Sequence, residues 1–215
     1  MKYDPAKHHR NSVRLKDYDY GQSGAYFLTI VTQDRTCLFG DIKGSAPQLN
    51  DAGQMIRSVW VDMSRHYPGV ETDTFVVMPN HFHGIVMMMD RDVGATGRSP
   101  FPSGPSKRSL GAFVGGFKSV VTTRINHLRG TPGVPVWQRN YYEHIIRDEE
   151  SLNRIRQYIA DNPARWEFDP DNPETKTPEA KYPWREKSNT TQDERNGRAT
   201  RRWPYRFDLN LRILF

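Results

Sequence analysis

A chain of 215 residues with 31 Lys plus Arg against 25 Asp plus Glu has a formal charge of +6 and a pI near 9.5. That balance favours an anionic partner such as nucleic acid. A single cysteine, Cys37, excludes an internal disulfide framework and a cysteine-rich zinc site. No window has the apolar length of a membrane span, and the first residues lack the apolar run of a signal peptide. A cytoplasmic protein is therefore expected, nucleoid-associated when bound to DNA.

Residues 1–24 are polar and basic and are predicted to form an arm, with Arg14 a candidate DNA contact. Residues 26–32, rich in aromatic and β-branched side chains, predict a central strand. Residues 34–48 carry Gly40, Gly44 and Pro47 and are expected to form a loop. Asn50 or Asp51 then caps a helix whose stripe is Ala52, Met55, Ile56, Val59 and Met63. After Pro68-Gly69, residues 70–77 and 81–89 predict two strands joined by a turn at Pro79-Asn80. Gly, Pro and Ser dominate 91–109, which reads as a flexible basic loop.

A second helix follows, with Leu110, Phe113, Val114, Phe117, Val121 and Leu128 on one face and Gly130 at its close. Residues 136–146 read as a strand. The last helix covers 152–162, starts at Asp148 or Ser151 and stops before Pro163. Strand, helix, strand, strand, helix, strand predicts an α+β ferredoxin-like βαββαβ sandwich with a four-stranded antiparallel sheet. The final helix is extra to that core. Residues 25–168 form the expected domain, and 169–215 a polar linker with a basic, aromatic tail.

The chemistry is concentrated at two places. His81 and His83 stand one residue apart on a strand, so both side chains leave the same face of the sheet. Two adjacent imidazoles can serve as ligands of one metal ion, although a lone His-x-His is more often two polar positions on a solvated face. On the last helix, Tyr158 and Asn162 are four positions apart and stack along one edge of the apolar stripe of Leu152, Ile155 and Ile159. A tyrosine can attack a phosphodiester that a metal neutralises, and Asn162 can add a neutral oxygen ligand. Oxygen and imidazole donors with open positions suit Mg²⁺ or Mn²⁺. Taken alone, Tyr158 is a rim packing residue and Asn162 a cap before Pro163.

The motif Met78-Pro79-Asn80-His81-Phe82-His83 is of the His-hydrophobic-His kind. It is followed in order by Gly115-Gly116-Phe117-Lys118-Ser119, by Val136-Trp137-Gln138-Arg139-Asn140-Tyr141-Tyr142-Glu143-His144, and by Tyr158-Ile159-Ala160-Asp161-Asn162-Pro163. Over about residues 14–168 the chain resembles the single-tyrosine HUH transposases, most of all the REP-associated tyrosine transposases. The resemblance implies a metal-dependent endonuclease and strand transferase acting on single-stranded DNA folded into hairpins. It implies His81 and His83 as metal ligands, Asn162 as a further ligand, and Tyr158 as a nucleophile that gives a 5′-phosphotyrosine. A monomer or a homodimer is expected.

Lys118, Arg124, Arg139, Arg154 and Arg165 join Arg14 as candidate DNA contacts, and His144 is a candidate to approach the metal or support a ligand. Two other readings fit the same residues: a hairpin-binding module that cleaves nothing, and a metal-dependent nuclease using water.

Overall fold

The computed structural model describes residues 23–89, 109–179 and 182. Its frame is a four-stranded antiparallel sheet built from β1 (Gly24–Val31), β4 (Val70–Val77), β5 (His81–Met88) and β6 (Tyr142–Ile146), in the order β4-β5-β1-β6. With α1 (Asp51–His66) after β1 and α2 (Leu110–Arg129) after β5, this is the βαββαβ order and strand arrangement of the ferredoxin-like sandwich.

Alternation decides which helix covers which face. Tyr26, Leu28, Ile30, Phe82, Val86 and Met88 point to one side, where α1 and α2 close a core around the fully buried Trp60. Ala25, Phe27, Ile85, Met87 and Ile146 point to the other. A solvated apolar face of that size is unfavourable. α3 (Glu149–Asp161) covers it with Leu152, Ile155 and Ile159. Arg156 locks the helix laterally, donating from Nε (2.9 Å) and Nη2 (2.6 Å) to Asp73 on β4. The two histidines of β5 lie on the face that α3 covers.

Local signals set the helix ends. Asn50 Oδ1 accepts from Gly53 N at 3.1 Å, Ser109 Oγ from Ala112 N at 3.2 Å, and Asp148 Oδ1 from Ser151 N at 2.7 Å. Gly130 closes α2 in the left-handed region at φ 63°.

Three expectations change. The stretch read as a loop at 34–48 holds a short 3-10 turn, Gln33–Arg35, and a hairpin of β2 (Gly40–Lys43) and β3 (Ala46–Leu49). Gly44 and Ser45 both take positive φ at its tip, the geometry of a tight two-residue turn. Pro47 argued against a strand, but a two-stranded ribbon tolerates a proline on its edge. The strand expected over 136–146 is regular only from Tyr142. Before it the chain is held by a Thr32–Trp137 bridge and a Gln138 N to Val31 O bond of 2.9 Å.

The packed domain also continues past residue 168. Asp169, Asp171 and Tyr182, in the stretch read as a linker, are buried. The arm expected at 1–24, apart from its last two residues, and the loop expected at 91–109, apart from Ser109, lie outside the described residues, as does most of the tail. Among the described residues, no helix is long and apolar enough to cross a membrane.

Gly84 is required where α1 meets the sheet. A Cβ there would stand 2.7 Å from Cζ2 of Trp60 and 2.7 Å from Cε1 of Phe82, rings that pack at 4.6 Å between centroids. Gly84→Ala is expected to cost about 2–3 kcal/mol by overpacking, lowering Tm by roughly 5–10 °C. Thermal unfolding followed by circular dichroism checks this, and an unchanged Tm would mean that the rings move aside without strain.

Candidate active site

The site begins where β1 and β5 pair. Thr29 is the Cα partner of His83, and Val31 that of His81. Both histidines are buried, and their rings lie 4.6 Å apart at 63°. Each Nδ1 has a partner: His83 Nδ1 is 2.9 Å from Thr29 Oγ1, and His81 Nδ1 is 2.9 Å from Asn80 Oδ1. Hydrogen bonding at one ring nitrogen leaves Nε2 to coordinate, the usual support for a metal-binding imidazole.

Asp169 completes the cluster. It follows the 3-10 helix Pro163–Phe168, with its N–H on Trp166 O at 3.1 Å. Its Oδ1 accepts from Asp171 N at 2.6 Å, and its Oδ2 lies 3.8 Å from His81 Nε2. Ligand atoms of His81, His83 and Asp169 all fall within 4.8 Å of one another. Ligands bound at about 2.1 Å stand roughly 3–4 Å apart, so the cluster is close to a coordinating arrangement.

Asn162 is buried at the junction of α3 and the 3-10 helix, and its Oδ1 has no hydrogen-bond partner. A buried amide oxygen without a partner is costly in a dry site, and a hard cation would satisfy it. Two imidazoles, a carboxylate and this oxygen therefore fit a divalent metal. The mixed set accommodates Mn²⁺, Mg²⁺ or Zn²⁺ and is too hard for a soft, thiophilic ion.

Tyr158 is half-buried one helical turn before Asn162. Its ring packs 5.4 Å from His83, 6.0 Å from Phe27 and 6.3 Å from Tyr182. Burial pushes its phenol well above the usual tyrosine value, and the carboxylates of Asp169 and Asp171 add to the rise. A hydrogen bond with Asn162 and the charge of Arg165 work the other way. The helix edge thus brings Tyr158 and Asn162 to the face that carries His81 and His83.

Of the other predicted positions, Arg165 bears on Tyr158 through its charge, and none is in the His81, His83 and Asp169 cluster. His144 is the Cα partner of Phe27 and shares the α3 face, but it is not in the metal-type cluster. Lys118 has partners within the fold. Its ammonium donates to the carbonyls of Gln138 (2.6 Å), Arg139 (3.1 Å) and Asn140 (3.5 Å), and burial lowers its pKa. It clamps the segment before β6. Arg124 is exposed on α2, across the sheet from the histidines, and Arg139 is exposed beyond the Lys118 clamp. Arg154 bonds Glu150 and Ser151 on its own helix, and Arg165 pairs with Glu179. Arg14 lies outside the described residues.

Sequence reasoning missed Asp169, Thr29, Asn80 and Tyr182. Asp169 sat in a run of Pro, Asn and Asp without periodicity, and nothing in its spacing points to the histidines. Asn80 could have been suspected from its place directly before His81.

No family model matches the chain. It is 40% identical over 174 residues to an uncharacterised protein of Haemophilus influenzae strain Rd, covering 78% of this chain and 96% of that protein. It is 29% identical over 147 residues to a protein of the same strain named "Putative REP-associated tyrosine transposase", covering 68% of this chain and 74% of the relative. Among solved structures, a REP-associated tyrosine transposase bound to a REP hairpin overlaps 72% of this chain and 73% of its own, at 22% identity and a TM-score of 0.46.

Proposed function

We propose that the chain is a REP-associated tyrosine transposase that nicks and rejoins single-stranded, hairpin-forming DNA with Tyr158 as nucleophile, a reading supported by its likeness over 147 residues to a relative of that name. The observation that carries this reading is the convergence on one sheet face of a half-buried phenol, two buried imidazoles, a buried carboxylate and a partnerless amide oxygen.

His81, His83, Asp169 and Asn162 would hold a divalent metal, Mg²⁺ or Mn²⁺. Such an ion, when bound, neutralises phosphodiester charge and orients the scissile bond. The remaining work falls to the chain. Tyr158 Oη attacks the phosphorus, the bond from phosphorus to the 3′ oxygen breaks, and the DNA 5′ phosphate becomes linked to the tyrosine. The phenolic proton is balanced by the one the departing 3′-hydroxyl acquires. Because burial and two carboxylates hold the phenol's pKa high, little phenolate is present near neutrality, and removing the phenolic proton is part of the barrier to attack. The stored phosphotyrosine is then open to attack by a 3′-hydroxyl, which reverses the step and rejoins DNA.

Packing serves this chemistry. Phe27 and Tyr182 confine the tyrosine ring, limiting the positions of Oη. Arg165 stands where its charge favours the phenolate. Incubation with labelled hairpin DNA and Mn²⁺, followed by denaturing electrophoresis, tests the reading. A protein-linked label is expected. Cleavage without a linked label would replace the tyrosine by water, and binding without cleavage would make the chain a hairpin reader.

A further inference from the structure

We infer that Asn80 is a positioning residue that holds His81 in one tautomer and ties the Asp169 loop to it. The inference rests on the reading of His81 and Asp169 as metal ligands and adds what prepares them for that role.

Asn80 has no solvent exposure, and three hydrogen bonds engage its side-chain amide. Nδ2 donates to Arg35 O at 3.0 Å and to Asp171 O at 2.6 Å, while Oδ1 is 2.9 Å from His81 Nδ1. Carbonyl oxygens only accept, so the nitrogen end of the amide must face Arg35 and Asp171. The two carbonyls thereby fix an orientation that electron count alone would leave ambiguous. Oδ1 must then face the imidazole, and since it too only accepts, Nδ1 must carry the ring proton. In the neutral ring the lone pair falls on Nε2, the atom 3.8 Å from Asp169 Oδ2. The opposite tautomer would put a proton where the cation belongs and would set two acceptors against each other at Asn80.

The same amide reaches the carboxylate. Asp171, whose carbonyl Asn80 grips, donates its own N–H to Asp169 Oδ1 and pairs with Arg35 at 3.4 Å. Arg35 O is the amide's other acceptor. Three chain segments distant in sequence, the turn at Arg35, the start of β5 and the loop at 169–171, thus meet on one buried side chain. Loss of the amide frees a ring tautomer and loosens the loop that supplies Oδ2.

The test is a long-range ¹H–¹⁵N correlation spectrum of the full chain with ¹⁵N-labelled histidine, free of metal, at a pH where the ring is neutral. His81 is assigned by loss of its signals in His81→Ala. The expected spectrum has a pyrrole-like Nδ1 and a pyridine-like Nε2. Asn80→Ala is expected to mix the tautomers and weaken Mn²⁺ binding by calorimetry about 10–100-fold. Asn80→Asp keeps an acceptor opposite Nδ1 while losing the grip on Asp171, so it should retain the tautomer yet bind Mn²⁺ less tightly than the wild type. Circular dichroism checks that both variants fold, and if Asn80→Ala does not, Asn80→Asp decides. An Nε2-protonated His81 in the wild type overturns the inference. So does Asn80→Ala with tautomer and affinity unchanged, or Asn80→Asp with the tautomer lost. If the tautomer behaves as expected but no protein binds Mn²⁺, the lock stands and the metal reading falls.

Discussion

Tyr158→Phe is expected to remove the protein–DNA adduct and to lower hairpin cleavage by at least about a thousandfold, the scale on which loss of a nucleophile acts. The phenylalanine keeps the contacts with Phe27, His83 and Tyr182 and loses only the hydroxyl, so the fold should survive with a small change in Tm. Cleavage by the wild type should rise with pH across the alkaline range. The sign follows from the environment: burial and then Asp169 raise the phenol's pKa, so the attacking form is scarce near neutrality and grows with each step upward. Rates measured at several pH values under single-turnover conditions check the slope. An adduct that persists in Tyr158→Phe would move the nucleophile elsewhere, with Tyr142 and Tyr182 on the same face the first places to look.

The second large effect concerns the donor set. His81→Ala combined with His83→Ala should reduce Mn²⁺ affinity at least about a hundredfold and take cleavage with it, since half the proposed ligands are gone. Stability also falls, because Phe27 stacks on His83 at 5.3 Å and deleting a buried ring leaves a cavity. Calorimetric titration separates the two losses, provided the variant is shown to be folded. Asp169→Asn keeps the shape and removes the charge. It should weaken Mn²⁺ binding by roughly tenfold while relieving the upward pull on Tyr158, so adduct formation falls less than metal affinity does. Intact metal binding in the double alanine variant would exclude the histidines as ligands.

Much of this was legible in the chain because local rules and long-range packing agreed. The cap candidates at Asn50 and Asp148, the strand pattern along β1 and β5, and the stripe of Leu152, Ile155 and Ile159 all stated what they went on to do. The shared face of His81 and His83 follows from strand periodicity, and the edge holding Tyr158 and Asn162 from helix periodicity. What failed was information without a period. Asp169 is held by an Asx turn and a 3-10 helix, with the amide of Asn80 gripping Asp171 two residues on, and none of these leaves a repeating signature. The carbonyl contacts of Lys118 were equally invisible: a lysine on a helix in a basic chain gives no sign of the three backbone oxygens found around it. The hairpin at 40–49 was hidden by Pro47, which a ribbon edge accepts.

The Asn80–Asp171 bond spans 91 residues, and the Tyr182–Thr29 bond spans 153. Contacts of such separation close late in folding, after loop entropy has been overcome. During synthesis, β5 can pair with β1 as soon as both have emerged, but the loop bearing Asp169 and the ring of Tyr182 arrive long afterwards. A ribosome-bound chain therefore displays the histidines without the carboxylate, and the tyrosine without its confining ring. A centre assembled in this order is incomplete until nearly all of the domain has been made, so chains truncated before Asp169 should form no covalent adduct with hairpin DNA.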